Sequence, residues 1–403
     1  LSNFGIAAGF GPFGLDYLIK HKYKTNKSKR AVIFVSSCIA FTILSYYLAG
    51  SLFLTNPLIP DFISYFIICL TGLMGLSGFT MGALIFSAYD IIAKMFVGKV
   101  ACPGVGLVIP GVQVPKVNFF IPWYGWLILI LGAIIHEFSH GIMLRIAKVK
   151  IKNVGVILFG PLPMGAFVEP DEKQLKKTDK QQVTKMYSAG PSSNLVLAIL
   201  FALLLLIISS PINSYTTNID NQRQLGLVVS SVTPTAEICG SSFDNPAYGK
   251  LQKNDKIISV NGTVIKTQSD LKNAIKQDYE NIFVVKSLDT NLTRTEYIKT
   301  NELGNIGISA EINIDETIPL PKRYNLYKLI YQIVFWCAML NFLFATTNYL
   351  PTIPFDGGYL AQNIFSGYLN KKHNEKKRMA IVKKFFGYLI LFLLLLNVIP
   401  YFL

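Results

Sequence analysis

The chain has 403 residues, 51% of them hydrophobic and only 15% charged, with a mean hydropathy of +0.42, well to the apolar side of a soluble domain. These proportions exclude a disordered chain and an ordinary soluble enzyme, and they imply an integral membrane protein. The formal charge of +15 does not point to a nucleic-acid partner, because the Lys and Arg residues cluster beside apolar windows and read as topology signals.

Six windows of about 20 residues or more are nearly free of charge, as a hydrocarbon core of roughly 30 Å requires of a helix rising 1.5 Å per residue. In chain order they are Ala31 to Leu54, Phe62 to Tyr89, Ile121 to Ile146, Met186 to Ser210, Leu326 to Leu350 and Phe385 to Leu403. Leu1 to Ile19 reads as the end of a helix. Cys38, Cys69, Cys102, Cys239 and Cys337 are scattered singly, and neither a disulfide framework nor a Cys-based zinc site follows from them.

The segments Lys20 to Arg30, Arg145 to Lys185 and Lys371 to Lys384 are rich in Lys and Arg, and the positive-inside rule makes them cytoplasmic. The polar middle of the chain then lies outside. One count fails to close: a single crossing by Phe62 to Val97 would end inside, yet the window at Ile121 has to start outside. Either that stretch is a hairpin turning near Gly75-Leu76-Ser77-Gly78, or the arm at Lys20 is external.

Between Lys150 and Pro170 the sequence is apolar but punctuated by Gly155, Gly160, Pro161, Pro163 and Gly165. Irregular backbone survives at membrane depth only where protein covers it or it lines a wet cavity. The expectation is a strand-like re-entrant loop; a chain lying at the inner membrane surface is the alternative.

The window from Ile121 ends in GAIIHEFSHGI, Gly132 to Ile142. On a helix His136 and His140, at i and i+4, project from one face, with Glu137 about 100° round from His136. Two imidazoles so placed can share one Zn²⁺, and the glutamate can reach a water bound to it. Ionisable groups at helix-centre depth cost roughly 2.5–3.5 kcal/mol each, so their presence here asks for a compensating role. A catalytic zinc usually takes three protein ligands and an open fourth position. His21 and His373 lie in basic, solvated loops, which leaves a carboxylate as the third ligand. Asp356 is the only acidic residue from Leu326 to Ser366, at the end of an apolar helix broken by Pro351 and Pro354.

The order HEFSH at 136–140 followed by NYLPTIPFDGG at 348–358 resembles the site-2 proteases, a family of intramembrane zinc metalloproteases. GAFVEPDE at 165–172 and AGPSSNL at 189–195 resemble the stretches between the catalytic helices of archaeal-type members. The resemblance implies that His136, His140 and Asp356 ligate zinc, that Glu137 is the general acid/base, and that Asn348 helps hold the substrate carbonyl or transition state. Asn194 is carried over only as helix packing or loop support. A transmembrane substrate must unwind before attack, and the loop around Gly165, Ala166 and Phe167 is expected to pair with it as an added strand.

In the polar middle, GLVVSSVTPTAEI at 226–238, residues 245–275 and GNIGI at 304–308 alternate short apolar strands with turn dipeptides such as Asn261-Gly262, with one helix near Gln268 to Lys276. This resembles a PDZ domain of the protease-associated kind, with Gly226, Leu227 and Val228 in the expected peptide-docking loop. A filter against bulky ectodomains is an equal alternative.

The expected fold is therefore a polytopic α-helical membrane protein of about six or more transmembrane helices, with a strand-like re-entrant loop and an inserted α+β PDZ-like extramembrane domain. Its parts are an N-terminal membrane extension (1–117), a first catalytic half (118–213), the PDZ-like domain (214–321) and a second catalytic half (322–403). The expected activity is zinc-dependent intramembrane endopeptidase action on membrane-anchored proteins with a transmembrane segment, in the inner half of the cell membrane, with the bilayer as the other partner. The rivals are a non-catalytic PDZ-bearing scaffold with a structural metal, which intact Glu137 argues against, and a metal transporter, which would place polar residues on more of the apolar windows.

Overall fold

In a computed structural model of the chain, the described residues are all except 23–25, 55, 57–58, 107–108, 114–118, 160–161, 240, 302–303, 371 and 403. They divide into two compact units, the first made of Leu1–Leu205 with Ile333–Leu403 and the second of Leu206–Gln332. Among the described residues six helices are long and apolar enough to cross a membrane, and they coincide with the six charge-free windows.

The first unit begins with α1 (Ser2–Lys22), α2 (Lys27–Phe53), α3 (Asp61–Phe96) and α4 (Gly125–Ile146). Two of these are not single rods. Gly75 leaves helical geometry at φ 57, ψ −139, a left-handed excursion that glycine tolerates without a Cβ penalty. Beyond it the chain doubles back: a Cβ on Gly82 would lie 2.6 Å from Ile67 Cγ2, whereas 15 residues of straight helix span about 22 Å. The stretch from Phe62 is thus a helical hairpin, the first of the two arrangements that the charge count left open. Its leading leg, Asp61–Met74, is about 21 Å long at 1.5 Å per residue, too short for a 30 Å core.

Helix α1 repeats the device at Gly11, with φ 54 and ψ −137, so residues 1 to 19 form a helical hairpin and not one helix end. The two turns meet, because a Cβ on Gly75 would stand 2.8 Å from Gly11 N. Ile6 and Phe10 of α1, Met74 and Met81 of α3, and Tyr349 all belong to one buried cluster.

After α4 come β1 (Ile151–Phe159) and β2 (Leu162–Pro170), an antiparallel ribbon. The apolar, glycine-punctuated stretch therefore pairs with itself, while its turn, which includes Gly160 and Pro161, lies outside the described residues. Asp171 caps the short α5 (Glu172–Leu175) by accepting from the backbone N–H groups of Lys173 and Gln174. The helix α6 (Lys180–Arg223) follows.

The second unit holds β3 (Gln224–Val232), β4 (Thr235–Ile238), β5 (Ser241–Asp244), β6 (Asp255–Val260), β7 (Thr263–Val264), α7 (Gln268–Ala274), β8 (Glu280–Ser287), β9 (Thr293–Lys299) and β10 (Ile308–Ile314). The main sheet runs β10-β3-β6-β8-β9, with β7 on β6. Asn261 and Gly262 both take positive φ, as the Asn-Gly turn between β6 and β7 requires. Leu227, Ile257, Phe283, Val285 and Ile298 are fully buried in its core.

Helix α8 (Lys322–Asn348) leads to α9 (Asp356–Phe365) and α10 (Glu375–Val398). The units part at 206 and 332, inside α6 and α8, and not at the expected 214 and 321. Charge-free composition marks where a helix enters lipid, but α6 continues beyond Ser210 through polar residues to Arg223. A second expectation also changes. Cys102 and Cys239 are each disulfide-bonded, while Cys38, Cys69 and Cys337 are free; single, scattered spacing in a sequence does not tell which thiols are oxidised.

Candidate metal centre

All the residues of the centre belong to the first unit. Helix α4 carries His136 and His140, which are 4% and 9% exposed. Across from them Asp356 opens α9, where the sequence had suggested the end of the preceding helix: α8 stops at Asn348, and Tyr349–Phe355 bridges to the new helix. Asp356 Oδ2 lies 3.1 Å from His136 Nε2 and 3.1 Å from His140 Nε2.

The protons can be assigned from the partners. His140 Nδ1 is 2.8 Å from the carbonyl of Met186, which can only accept, so Nδ1 donates. Asn194 Nδ2 donates to the carbonyl of Gly132 at 3.1 Å and to Asn341 Oδ1 at 3.0 Å. Its Oδ1 is therefore free to accept from His136 Nδ1 at 2.8 Å. In the neutral tautomer with Nδ1 donating outward, each ring turns an Nε2 lone pair toward the Asp356 carboxylate oxygen, so that three potential ligand atoms converge on one point. Such a set calls for a cation, and its separations match those of tetrahedral ligands about 2.0–2.1 Å from a zinc ion, roughly 3.3 Å apart.

Space for that convergence comes from Gly190 of α6. A Cβ there would lie 2.6 Å from His136 Cδ2 and nearer still to both Nε2 atoms. The surrounding run Ser188–Leu195 is wholly buried. Sequence reasoning assigned Asn194 only to packing and did not single out Gly190 or Asn341; the visible signal was a run of small and polar residues inside an otherwise apolar window. The orienting bonds to the outer ring nitrogens are of the kind that fix imidazole tautomers at metal sites.

His136, Glu137 and His140 form a group whose ligand atoms lie within 4.8 Å of one another. A cavity of about 240 Å³ is lined by these three together with Asp356, Asn348 and Phe167. Asn348 reaches this cavity, and its amide donates to the carbonyl of Phe344 on its own helix at 2.9 Å. Glu137 also borders a second, mostly apolar cavity of about 610 Å³ against β1 and β2, where Ala166 is found. Gly165 lines neither. His21 and His373 are exposed, and neither lines these cavities.

The second unit requires a correction. Gly226, Leu227 and Val228 do not form a docking loop. They lie within β3, which pairs with β10 on one side and β6 on the other, and Leu227 is fully buried. Their backbone edges are occupied and no added strand can enter. Strand β10 lies at one end of the sheet and β9 at the other, and it is beside β10 that a cavity opens. There a cleft of about 490 Å³ is lined by Gln268 and Leu271 of α7, by Ile275 just beyond it and by Gly304 to Ile308.

A family model described as Peptidase family M50 matches residues 124–396, more than half of the chain. The chain is also 30% identical over 261 residues to MJ0971, an uncharacterized protein of Methanocaldococcus jannaschii, an alignment covering 63% of this chain and 60% of that relative. It thus spans less than two thirds of the relative's length. The matched segment holds the two histidines, the glutamate and the aspartate that converge between α4 and α9, and the chain belongs to Peptidase family M50, the site-2 protease family of membrane metalloproteases.

Proposed function

We propose that the protein is an intramembrane endopeptidase that uses zinc to cut transmembrane segments of membrane-anchored proteins. The observation that carries this reading is the convergence of two imidazole nitrogens and one carboxylate oxygen at 3.1 Å, beside a glutamate that borders two cavities. His136, His140 and Asp356 would hold the ion. When bound, it would supply Lewis acidity and lower the pKa of a bound water from 15.7 to about 7.

The chain's own groups then have distinct work. Glu137 takes the proton of the attacking water and delivers it to the leaving amide nitrogen. Asn348, released from Phe344, donates to the oxyanion that develops on the scissile carbonyl. Phe167 of β2 borders the 240 Å³ cavity, and in a two-stranded ribbon each strand keeps one unpaired edge. An unwound substrate adding to β2 would be held extended, with its carbonyls exposed, next to Glu137.

The topology supports this placement. With α3 folded back on itself, both its ends lie on one side and the positive-inside count closes with the arm at Lys20 cytoplasmic. Cys102 and Cys239, both disulfide-bonded, then fall in segments outside the cytoplasm, where disulfides persist. His140 is five residues before Arg145, about 7–8 Å from the cytoplasmic end of α4, which supports a cut in the inner half of the bilayer. The sheet unit is read as a PDZ-like module whose docking cleft lies between α7 and β10.

The test is incubation of the purified protein with a panel of single-span substrates, comparing wild type with Glu137→Gln and adding a zinc chelator. Chelation and Glu137→Gln should each abolish cleavage, and the variant should keep its zinc. Cleavage that survives Glu137→Gln would sink the mechanism; zinc binding without cleavage of any substrate would favour the scaffold.

A further inference from the structure

The larger cavity beside Glu137, about 610 Å³, is a trough between α4 and one face of the ribbon. Val154 pairs with Val168 and Val156 with Ala166 across the two strands, and directly opposed residues point to the same face of a sheet. All four line the trough, and Phe138 and Ile142 of α4 form its other wall. Among its described lining residues only Glu137 and Arg145 carry charge. The glutamate also borders the cavity of the candidate metal centre, so the trough starts where the cut would be made. Arg145, in the last turn of α4, is exposed, and its side chain has no ion pair or hydrogen bond among the described residues.

The spacing of these two charges fixes a distance. Arg145 follows Glu137 by eight positions on α4, about 12 Å at 1.5 Å per residue. An extended chain covers that distance in about four residues, at roughly 3.3 Å each. Apolar walls suit the hydrophobic residues of a membrane segment. The lone guanidinium where they end suits a carboxylate, which it can hold by charge-assisted hydrogen bonds. An acid so close to hydrocarbon is costly without such a partner.

We propose that the trough takes the unwound cytoplasmic end of the substrate, and that Arg145 selects segments carrying an Asp or Glu about four residues to the cytoplasmic side of the cut. The inference rests on the protease reading and adds to it a specificity that the metal ligands do not supply.

The full chain in nanodiscs is given single-span peptides that differ at one position only, with Asp, Asn or Lys moved stepwise from the middle of the apolar segment to its cytoplasmic flank. Cut sites and kcat/KM are read by mass spectrometry for wild type, Arg145→Glu, Arg145→Gln and Lys148→Glu, the last an exposed residue of the same basic stretch that does not line the trough. Binding is read separately by photo-crosslinking, in Glu137→Gln with a crosslinking residue in place of Ile142, with and without Arg145→Glu. Asp about four residues from the cut should raise kcat/KM over Asn by about fivefold or more, the upper end for an exposed ion pair. Arg145→Glu should transfer the preference to Lys, Arg145→Gln should remove it, and Lys148→Glu should leave it. Cleavage without a charge preference, a preference that peaks elsewhere along the segment, or one that substitution of Arg145 leaves intact or Lys148→Glu alters equally, overturns the proposal while the protease reading stands. If no peptide is cut, crosslinking decides: capture at position 142 that follows the same charge rule supports the trough and counts against the protease, and capture that is absent or indifferent to Arg145→Glu overturns the trough as well. Should Arg145→Glu fail to fold, Arg145→Gln takes its place in both arms.

Discussion

Replacing Gly190 with alanine puts one methyl group at the point where the two imidazoles meet. The new Cβ would stand 2.6 Å from His136 Cδ2, against an ordinary carbon contact of about 3.5–4.0 Å, so the rings must withdraw by roughly 1 Å. They are not free to do so. Each is pinned at Nδ1 by a 2.8 Å hydrogen bond, one to Asn194 and one to the carbonyl of Met186. Both anchors are on α6 with Gly190 itself, so backing the helix away stretches the same two bonds. Overpacking of this kind costs roughly 1–3 kcal/mol. The effect on the metal is larger, because ligand positions matter to within about 0.2 Å and loss of an orienting bond alone costs about 10–100-fold in affinity. Zinc affinity should therefore fall at least about 100-fold. The assay is zinc content by mass spectrometry after dialysis against a competing chelator, with Tm as the fold check. Gly141→Ala is the matched control on α4, where the nearest atom to a new Cβ is Ile151 Cδ1 at 3.8 Å; it should keep its zinc. Gly190→Ala with stoichiometric zinc and wild-type cleavage would refute the reasoning.

Asn194→Ala removes the acceptor for His136 Nδ1 and should weaken zinc binding by about 10–100-fold, measured by chelator competition, with Asn194→Asp retaining more than alanine. In the sheet unit, Asp255 is fully buried and receives Arg294 Nη1 at 2.9 Å. Arg294→Met should cost up to about 3 kcal/mol, the low end for stranding a buried charge, because the arginine side chain is itself 30% exposed; faster limited proteolysis of residues 206–332 in the intact protein reports it. Backbone N–H donors of Thr267 and Lys266, with the Thr267 hydroxyl, hold the Asp270 carboxyl below its ordinary range. A lowered carboxyl stabilises above the unfolded pKa and is lost as pH falls through the folded one. Amide protection of α7 should accordingly be flat from pH 7 to about 5 and drop below about 4, and Asp270→Asn should flatten that dependence.

Residue chemistry made the candidate metal centre legible: two histidines four apart, a glutamate between them, and one lone carboxylate on a distant apolar segment that the fold brings to them. Gly190 was not legible, since a glycine that yields space to groups from another helix looks in sequence like any glycine near a proline. The expected docking loop at Gly226 to Val228 became a strand for a related reason. GLVVSSV alternates as any half-buried strand does, and alternation says which face is inward but nothing about which neighbours occupy its edges. The same holds for Cys102 and Cys239. The hairpin of α3 was half visible, because the charge count left it as one of two arrangements and the backbone at Gly75 selects it.

The front of the chain precedes the family match, yet it is a wall of the same chamber. Ser188 Oγ on α6 donates to the carbonyl of Ser2 at 3.0 Å, Tyr17 shares a 2.8 Å bond with Thr184, and a Cβ on Gly5 would touch Tyr349 OH at 2.5 Å. A fragment cut to begin at residue 118 would turn those hydroxyls toward acyl chains that offer no acceptor. The helix that holds Asn194 and Gly190 would lose its backing, and the smallest unit able to keep the metal ligands in register must include the two folded-back hairpins.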